Sequence, residues 1–276
     1  MSLLFQSIKN IAKAQRRIMA YGKELCPVCG TMSLPYDAVD FNRCCEERRG
    51  LRLPESGIAV PYFQCLECGF CFAPTIARWS LDEFKEKIYN QDYIKVDPDY
   101  AEVRPRDNAR LLIDLFGDHH HSIRHLDYGA GNGMVSEILR QHGWRTESYD
   151  PLSDRGRPLS GMGRFNLITA FEVFEHVPSP ANLMNDIASV IEADGILIFG
   201  TLLSDDMLIP DGRLTWWYAS PRNGHISLYS SRSLQALSAR HQFFLGSFSE
   251  GLHCMWRDAQ SWALSIVAGN RGIVGK

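Results

Sequence analysis

The stretch Leu126-Asp127-Tyr128-Gly129-Ala130-Gly131-Asn132-Gly133 constrains this chain more than any other. A short run from Ile123 to Leu126 leads into an acid and then into glycines at alternate positions. A helical pattern follows from Met134 to His142 and stops at Gly143. Strand, glycine turn and helix together form the layout in which a backbone closely approaches a nucleotide-like ligand. One glycine permits the tight turn, one removes a Cβ that would strike the ligand, and one lets helix pack on strand.

Two ligands fit that layout unequally. A dinucleotide-binding loop wants G-x-G-x-x-G, but Met134 stands where the last glycine belongs. Asp127 would also face a pyrophosphate of like sign. S-adenosylmethionine has no phosphate and carries an ammonium and a sulfonium, so an acid at the strand end suits it. A second strand, Trp144–Tyr149, ends at Asp150, 17 residues after Gly133, where a carboxylate can accept both ribose hydroxyls.

Asp-x-Gly-x-Gly-x-Gly, then Asp150, then Phe171-Glu172-Val173-Phe174-Glu175-His176-Val177 at a strand end resembles the class I S-adenosylmethionine-dependent methyltransferases of small-molecule type. The resemblance covers about residues 80–260. It implies an α/β, Rossmann-like and mostly parallel sheet with an antiparallel edge hairpin, Phe243–Phe248 with His253–Arg257. Cofactor contacts are expected from Asp127, Gly129, Ala130, Gly131, Gly133, Asp150, Pro151, Phe171, Glu172 and Tyr93. Pro151 to Arg164 departs from the pattern. Many relatives place a helix and a third strand there; this stretch is rich in Gly, Pro, Ser and Arg and reads as a loop, so a sheet one strand short is expected.

Residues 24–78 have a different character and read as a small N-terminal zinc-binding module. Cys26-Pro27-Val28-Cys29-Gly30 and Cys65-Leu66-Glu67-Cys68-Gly69 are two C-x-x-C-G knuckles with 35 residues between them. Each aims two thiolates at one point, and two knuckles complete a tetrahedral site on Cys26, Cys29, Cys65 and Cys68. Four thiolates leave no open position, so the zinc is structural. Cys44, Cys45 and Cys71 are spare thiols that could substitute for a ligand. In similar proteins, a zinc module ahead of a methyltransferase domain occurs among enzymes that methylate sugar nucleotides, although those carry a further C-terminal domain.

From 79 onward the chain reads as the methyltransferase domain, 79–276, opening with a helical lid at 79–110. Ser80-Leu81-Asp82-Glu83 has the form of a capping box, and Tyr89 and Tyr93 are candidates to fold over the cofactor. Asn108 to Phe116 reads as a helix. Ser179 caps a helix with Pro180 at its first position, running to about Glu192. Ile196–Thr201 is a buried strand, Ser230 or Ser231 caps a helix through Ala239, and 259–268 forms a last helix. The long connection Leu202–Gly224 carries Trp216, Trp217 and Tyr218 and reads as a binding loop or a satellite of the core.

Methyl transfer to oxygen or carbon requires removal of a proton, and His176, His225 and Glu172 are the candidate catalytic residues. Glu172, Glu175 and His176 also match an E-x-x-E-H pattern that binds magnesium in methyltransferases resembling the ubiquinone-pathway O-methylating enzymes. Three roles stay open for this trio: a magnesium site, a base with its tautomer fixed by glutamate, or a cap on the helix after Ser179. O-methylation of a small molecule is favoured. The alternatives are C-methylation of a nucleotide-linked sugar and a non-catalytic scaffold whose zinc module recruits a partner.

Composition excludes several other classes. A net charge of −3 gives no support to a nucleic-acid surface, and no apolar run approaches the ~20 residues of a membrane span. The N-terminus lacks the apolar core of a secretory signal, which points to the cytoplasm and to reduced cysteines. Residues 1–23 form an amphipathic pattern: Leu4, Ile8, Ile11 and Ile18 share a face, Lys9, Lys13, Arg16, Arg17 and Lys23 supply charge, and no acid precedes Glu24. Such a helix docks on its own protein, makes peripheral membrane contact or serves as an organellar address.

Overall fold

The computed structural model describes residues 21–154, 156–209 and 212–258, together with Ala263. In chain order its elements are β1 (Glu24–Leu25), β2 (Met32–Asp40), β3 (Ala59–Cys65), β4 (Cys71–Phe72), α1 (Pro74–Ala77), α2 (Leu81–Lys87), α3 (Tyr93–Val96) and α4 (Val103–Phe116). Then follow β5 (Arg124–Tyr128), α5 (Met134–Gln141), β6 (Arg145–Tyr149), β7 (Phe165–Ala170), α6 (Pro180–Val190), β8 (Ile191–Gly200), β9 (Ser227–Leu228), α7 (Ser231–Arg240), β10 (Phe244–Ser247) and β11 (Leu252–Trp256). Most of the amphipathic pattern at 1–23 and nearly all of the last helix lie outside the described residues.

The larger sheet has the order β10-β11-β8-β7-β5-β6. Strands β6, β5, β7 and β8 run parallel, and β11 and β10 close the far edge as an antiparallel hairpin. Ligands bind such sheets outside the strand carboxyl ends, where the strand order reverses. Here the first strand in sequence, β5, is flanked by β6 on one side and β7 on the other, and the glycine turn leaves its end. Strand β7 is buried at every residue, as a central parallel strand covered on both faces must be. Among the described residues no strand pairs beyond β6: the segment after Asp150 makes turns and a short 3-10 helix at Leu159–Met162.

Local chemistry sets most boundaries. Ser80 and Glu83 form the reciprocal capping box of α2. The Ser179 hydroxyl accepts from the Asn182 N–H with Pro180 in the first turn, and Ser230, not Ser231, caps α7. Two expectations are corrected. Helix α6 ends at Val190 rather than Glu192, because Ile191 is drawn into the sheet opposite Phe165. The helix leading into β5 begins at Val103 rather than Asn108; Pro105 falls in its first turn, where it forfeits no intrahelical hydrogen bond.

The smaller, antiparallel sheet has the order β1-β2-β3-β4-β9. Its last strand comes from far along the chain: Cys71 pairs with Leu228 and Phe72 with Ser227. The two sheets share one core, in which Phe63, Phe70 and Phe72 pack with Phe174, Phe199 and Tyr229. Polar clamps reinforce the junction, with the Ser230 hydroxyl donating to the Cys68 carbonyl at 2.6 Å and Arg240 to the Val28 carbonyl at 2.9 Å.

Candidate active site

The glycine turn is built by backbone hydrogen bonds that leave its crest open. The N–H groups of Gly129 and Ala130 donate to the Tyr149 carbonyl, tying the end of β5 to the end of β6. Gly129, Gly131 and Gly133 all have positive φ. At Gly129 a Cβ would also lie 2.4 Å from a methyl of Val173, so the turn can seat against the end of β7 only without a side chain there. Asp150 organises the same turn: one carboxylate oxygen accepts from Gly131 N–H at 3.0 Å, the other from Leu152 N–H at 2.8 Å and Ser153 N–H at 3.2 Å.

These residues form one wall of a cavity of about 620 Å³. Of the expected cofactor contacts, Asp127, Gly129, Ala130, Gly131, Asp150, Pro151, Phe171, Glu172 and Tyr93 line it. Gly133 does not; its N–H bonds to the Ala130 carbonyl and it starts α5. The opposite wall is aromatic and comes from the segment ahead of β5. Phe84, Tyr89, Tyr93 and Tyr100 contribute, with ring centroids 5.1 Å apart for Tyr89–Tyr93 and 5.0 Å for Tyr93–Tyr100.

The strand end after β7 separates the two carboxylates of the Glu172, Glu175 and His176 trio. Glu172 has φ of 53°, a strained conformation for a residue with a side chain, and its carboxylate pairs with Arg104 of α4 on the cavity surface. Arg104 is held in turn by Asp97. Glu175 points the other way, fully buried, and accepts from the Tyr218 hydroxyl. Burial pushes its carboxyl up to about 8. Of the three roles left open, the cap falls away for Glu175: Ser179 caps α6, as expected, and the Glu175 carboxylate accepts from Tyr218 in the core.

His176 reaches the cavity, whereas His225 packs behind it with ring centroids 4.8 Å apart. Burial lowers His176 to about 3 and keeps it neutral, and His225 is likewise pushed down. His225 Nδ1 lies 2.8 Å from the Tyr218 carbonyl and therefore carries the proton, leaving Nε2 as a lone pair. Ligand atoms of Glu175, His176 and His225 fall within 4.8 Å of one another. Glu172 is absent from that group because it faces Arg104.

Away from the cavity, the Sγ atoms of Cys26, Cys29, Cys65 and Cys68 also lie within 4.8 Å of one another, at 3.6 Å for Cys26–Cys68 and 3.4 Å for Cys29–Cys65. The knuckles match: Gly30 N–H donates to the Cys26 carbonyl and Gly69 N–H to the Cys65 carbonyl, each glycine at positive φ. Cys44 and Cys71 are buried in a separate apolar cluster, and Cys45 lies 3.7 Å from His225.

Sequence reasoning missed Arg104, in the first turn of α4, which holds Glu172, and Asp97, on the approach to that helix, which holds Arg104. No local pattern marks them. Lys85, Asn108 and Pro178 also line the cavity without a motif.

A glycine turn at the end of a central parallel strand, an acid at the end of the next and a cavity bordered by both define a class I S-adenosylmethionine-dependent methyltransferase domain. The family profile described as a methyltransferase domain matches residues 100–245, and the chain belongs to that family. Among curated relatives, a ubiquinone biosynthesis O-methyltransferase of Burkholderia thailandensis is 27% identical over 132 residues, covering 38% of this chain and 56% of the relative. One from Colwellia psychrerythraea is 26% identical over 100 residues, covering 28% of this chain and 41% of the relative. The chain thus spans about half the length of the curated relatives it matches. Among solved structures, the Burkholderia thailandensis 1,6-didemethyltoxoflavin-N1-methyltransferase with bound S-adenosylhomocysteine is 15% identical, covers 70% of this chain and 96% of that one, and gives a TM-score of 0.43. Among the described residues, no helix is long and apolar enough to cross a membrane.

Proposed function

We propose that this protein transfers the methyl group of S-adenosylmethionine to a small-molecule acceptor, with an acceptor oxygen favoured. One observation carries the reading: the glycine turn with Asp150 and the aromatic wall with His176 open onto the same cavity. Bound S-adenosylmethionine supplies an electrophilic methyl group on a sulfonium, whose displacement leaves a neutral thioether. Asp127 at the end of β5 supplies a carboxylate for the ammonium, and Asp150 supplies one for the ribose hydroxyls. Tyr89, Tyr93 and Tyr100 present apolar faces with polar rims that suit a flat acceptor. His176 lines the cavity and receives the acceptor proton as the new bond to the methyl carbon forms.

Incubation with S-adenosylmethionine and a panel of aromatic hydroxyl compounds, read by intact mass, tests this. A gain of one methyl matched by S-adenosylhomocysteine release supports it. Methylation only of carbon on a nucleotide-linked sugar replaces the acceptor class. Tight cofactor binding with no product from either panel leaves the scaffold reading.

A divalent ion beside the cavity is a second reading, favoured by one observation: Glu175 Oε2 and His176 Nδ1 are buried without hydrogen-bond partners. Glu175, His176 and His225 would hold it, in place of the expected Glu172-containing trio, and it would polarise an acceptor hydroxyl. Activity unchanged by EDTA and by added magnesium sinks this reading. The cysteine cluster fits a structural zinc, since tetrahedral ligands at the Zn–S distance of ~2.3 Å stand ~3.8 Å apart. It would cross-link the turn after β1 to the turn after β3.

A further inference from the structure

A buried polar chain runs behind the cavity to Asp127. His125 lies on β5, fully buried, at a position where a parallel strand ordinarily carries an apolar residue. Its Nδ1 is 2.7 Å from the Thr146 hydroxyl on β6, and its Nε2 is 2.9 Å from the Thr169 hydroxyl on β7. The Thr169 hydroxyl is 3.2 Å from a carboxylate oxygen of Asp127. At the other end Thr146 is 3.0 Å from the Ser136 hydroxyl of α5, which is itself 3.2 Å from the Glu147 carbonyl.

The chemistry of these groups makes the chain directional. A neutral imidazole has one N–H and one lone pair, and each hydroxyl has one proton to give. An ionised Asp127 can only accept, so Thr169 donates to it. The Thr169 oxygen then accepts from His125 Nε2–H, Nδ1 accepts from Thr146, and Thr146 accepts from Ser136. If Asp127 is protonated and donates to Thr169, every bond reverses: Thr169 donates to Nε2, Nδ1–H donates to Thr146, Thr146 donates to Ser136, and Ser136 donates to the Glu147 carbonyl. With Asp127 protonated every contact is filled; with Asp127 ionised every contact except Ser136 to the Glu147 carbonyl is filled. In neither case does the opposite His125 tautomer satisfy Thr169 and Thr146. A buried polar group left unpaired is costly, so partial arrangements are disfavoured.

We propose that His125 and Thr169 are positioning residues for the Asp127 carboxylate: ionised, ligand-ready Asp127 holds His125 as its Nε2–H tautomer, and protonated Asp127 holds it as Nδ1–H. This rests on the reading of Asp127 as the carboxylate for the cofactor ammonium. Burial pushes Asp127 up to about 7, helped by the charge of Asp150 at the end of β6 and opposed by the Thr169 hydrogen bond. The Thr169 hydroxyl on β7 faces the Asp127 carboxylate directly, and the Arg104–Glu172 pair lines the same cavity. Burial holds His125 down at about 3, so it remains neutral and changes tautomer rather than charge.

The test is nitrogen NMR of the full chain labelled at histidine, titrated between about pH 5.5 and 8.5, with calorimetry of S-adenosylhomocysteine binding alongside. The expected result is a neutral His125 whose Nδ1 and Nε2 shifts exchange character near pH 7, with S-adenosylhomocysteine driving it to Nε2–H. Asp127→Asn abolishes the pH-dependent exchange. Thr169→Val weakens S-adenosylhomocysteine about 10-fold or more, in keeping with loss of a hydrogen bond to a charged group, and Thr169→Ser restores it. A His125 fixed in one tautomer across the range, or an exchange that survives Asp127→Asn, overturns the proposal. Exchange in the free protein with no S-adenosylhomocysteine binding keeps the chain and removes the cofactor reading instead.

Discussion

Gly129→Ala measures how tightly the glycine turn is seated on the strand beside it. Two costs follow from the structure. The residue has φ of +76°, where a Cβ costs about 1–2 kcal/mol. The new methyl would also lie 2.4 Å from Val173 Cγ2, an overpacking of the kind that costs about 1–3 kcal/mol. Lower entropy of the unfolded chain returns about 0.4–1 kcal/mol. The expected net loss is therefore about 2–4 kcal/mol, read from chemical-denaturant midpoints at constant m. Val173→Ala removes the atom in the way and costs about 2 kcal/mol by itself, because Val173 is buried. The double variant should then be more stable than the sum of the singles by about 1–3 kcal/mol, since only the backbone cost of Gly129→Ala persists. Additivity to within about 0.5 kcal/mol would refute the steric argument and leave φ as the whole effect.

Asp150→Ala should weaken S-adenosylhomocysteine by about 2–4 kcal/mol in calorimetry, through two lost charge-assisted bonds and the loosened Gly131 and Leu152 N–H groups; unchanged affinity would remove Asp150 from the site. His176→Ala should slow turnover about 10²–10⁴-fold with cofactor affinity nearly intact, and retained activity there would shift the base elsewhere. Elemental analysis should find one zinc per chain, lost in Cys65→Ser; because the knuckles share a core with the sheet domain, chelation should lower the melting temperature of both sheets together rather than of the N-terminal one alone. Asp127 and Glu175 are both raised above their unfolded values by burial, so the stability each contributes is full below about pH 4 and is lost as pH rises through about 7 and about 8. Glu175→Gln should flatten the upper part of that decline, and a pH profile identical to the parent's would contradict it.

Elements whose cause lies within a few residues were legible in the chain alone. The glycine turn, the knuckles and the serine caps at 80 and 179 are of this kind. A tight turn needs glycine where φ is positive, and a helix start needs an oxygen for its free N–H groups, whatever surrounds them. The alternation of buried strands with amphipathic helices likewise dictated a parallel sheet, and the antiparallel hairpin at its edge follows from the short connection between β10 and β11.

Tertiary structure decided what depends on distant partners. Strand β9 is two residues long and carries no periodic signal; it exists because Cys71 and Phe72 present an open edge to Leu228 and Ser227. Glu172 and Glu175 stand three positions apart in one motif yet point to different environments. A positive φ turns the first toward Arg104, and the 3-10 turn at Phe174–His176 buries the second against Tyr218. The partners of His125 come from the strands on either side of it, so its two nitrogens acquire opposite roles only after β6, β5 and β7 align. Local propensity acts over a turn or two of chain, whereas hydrogen-bond polarity and burial are set by whichever segments the core brings together.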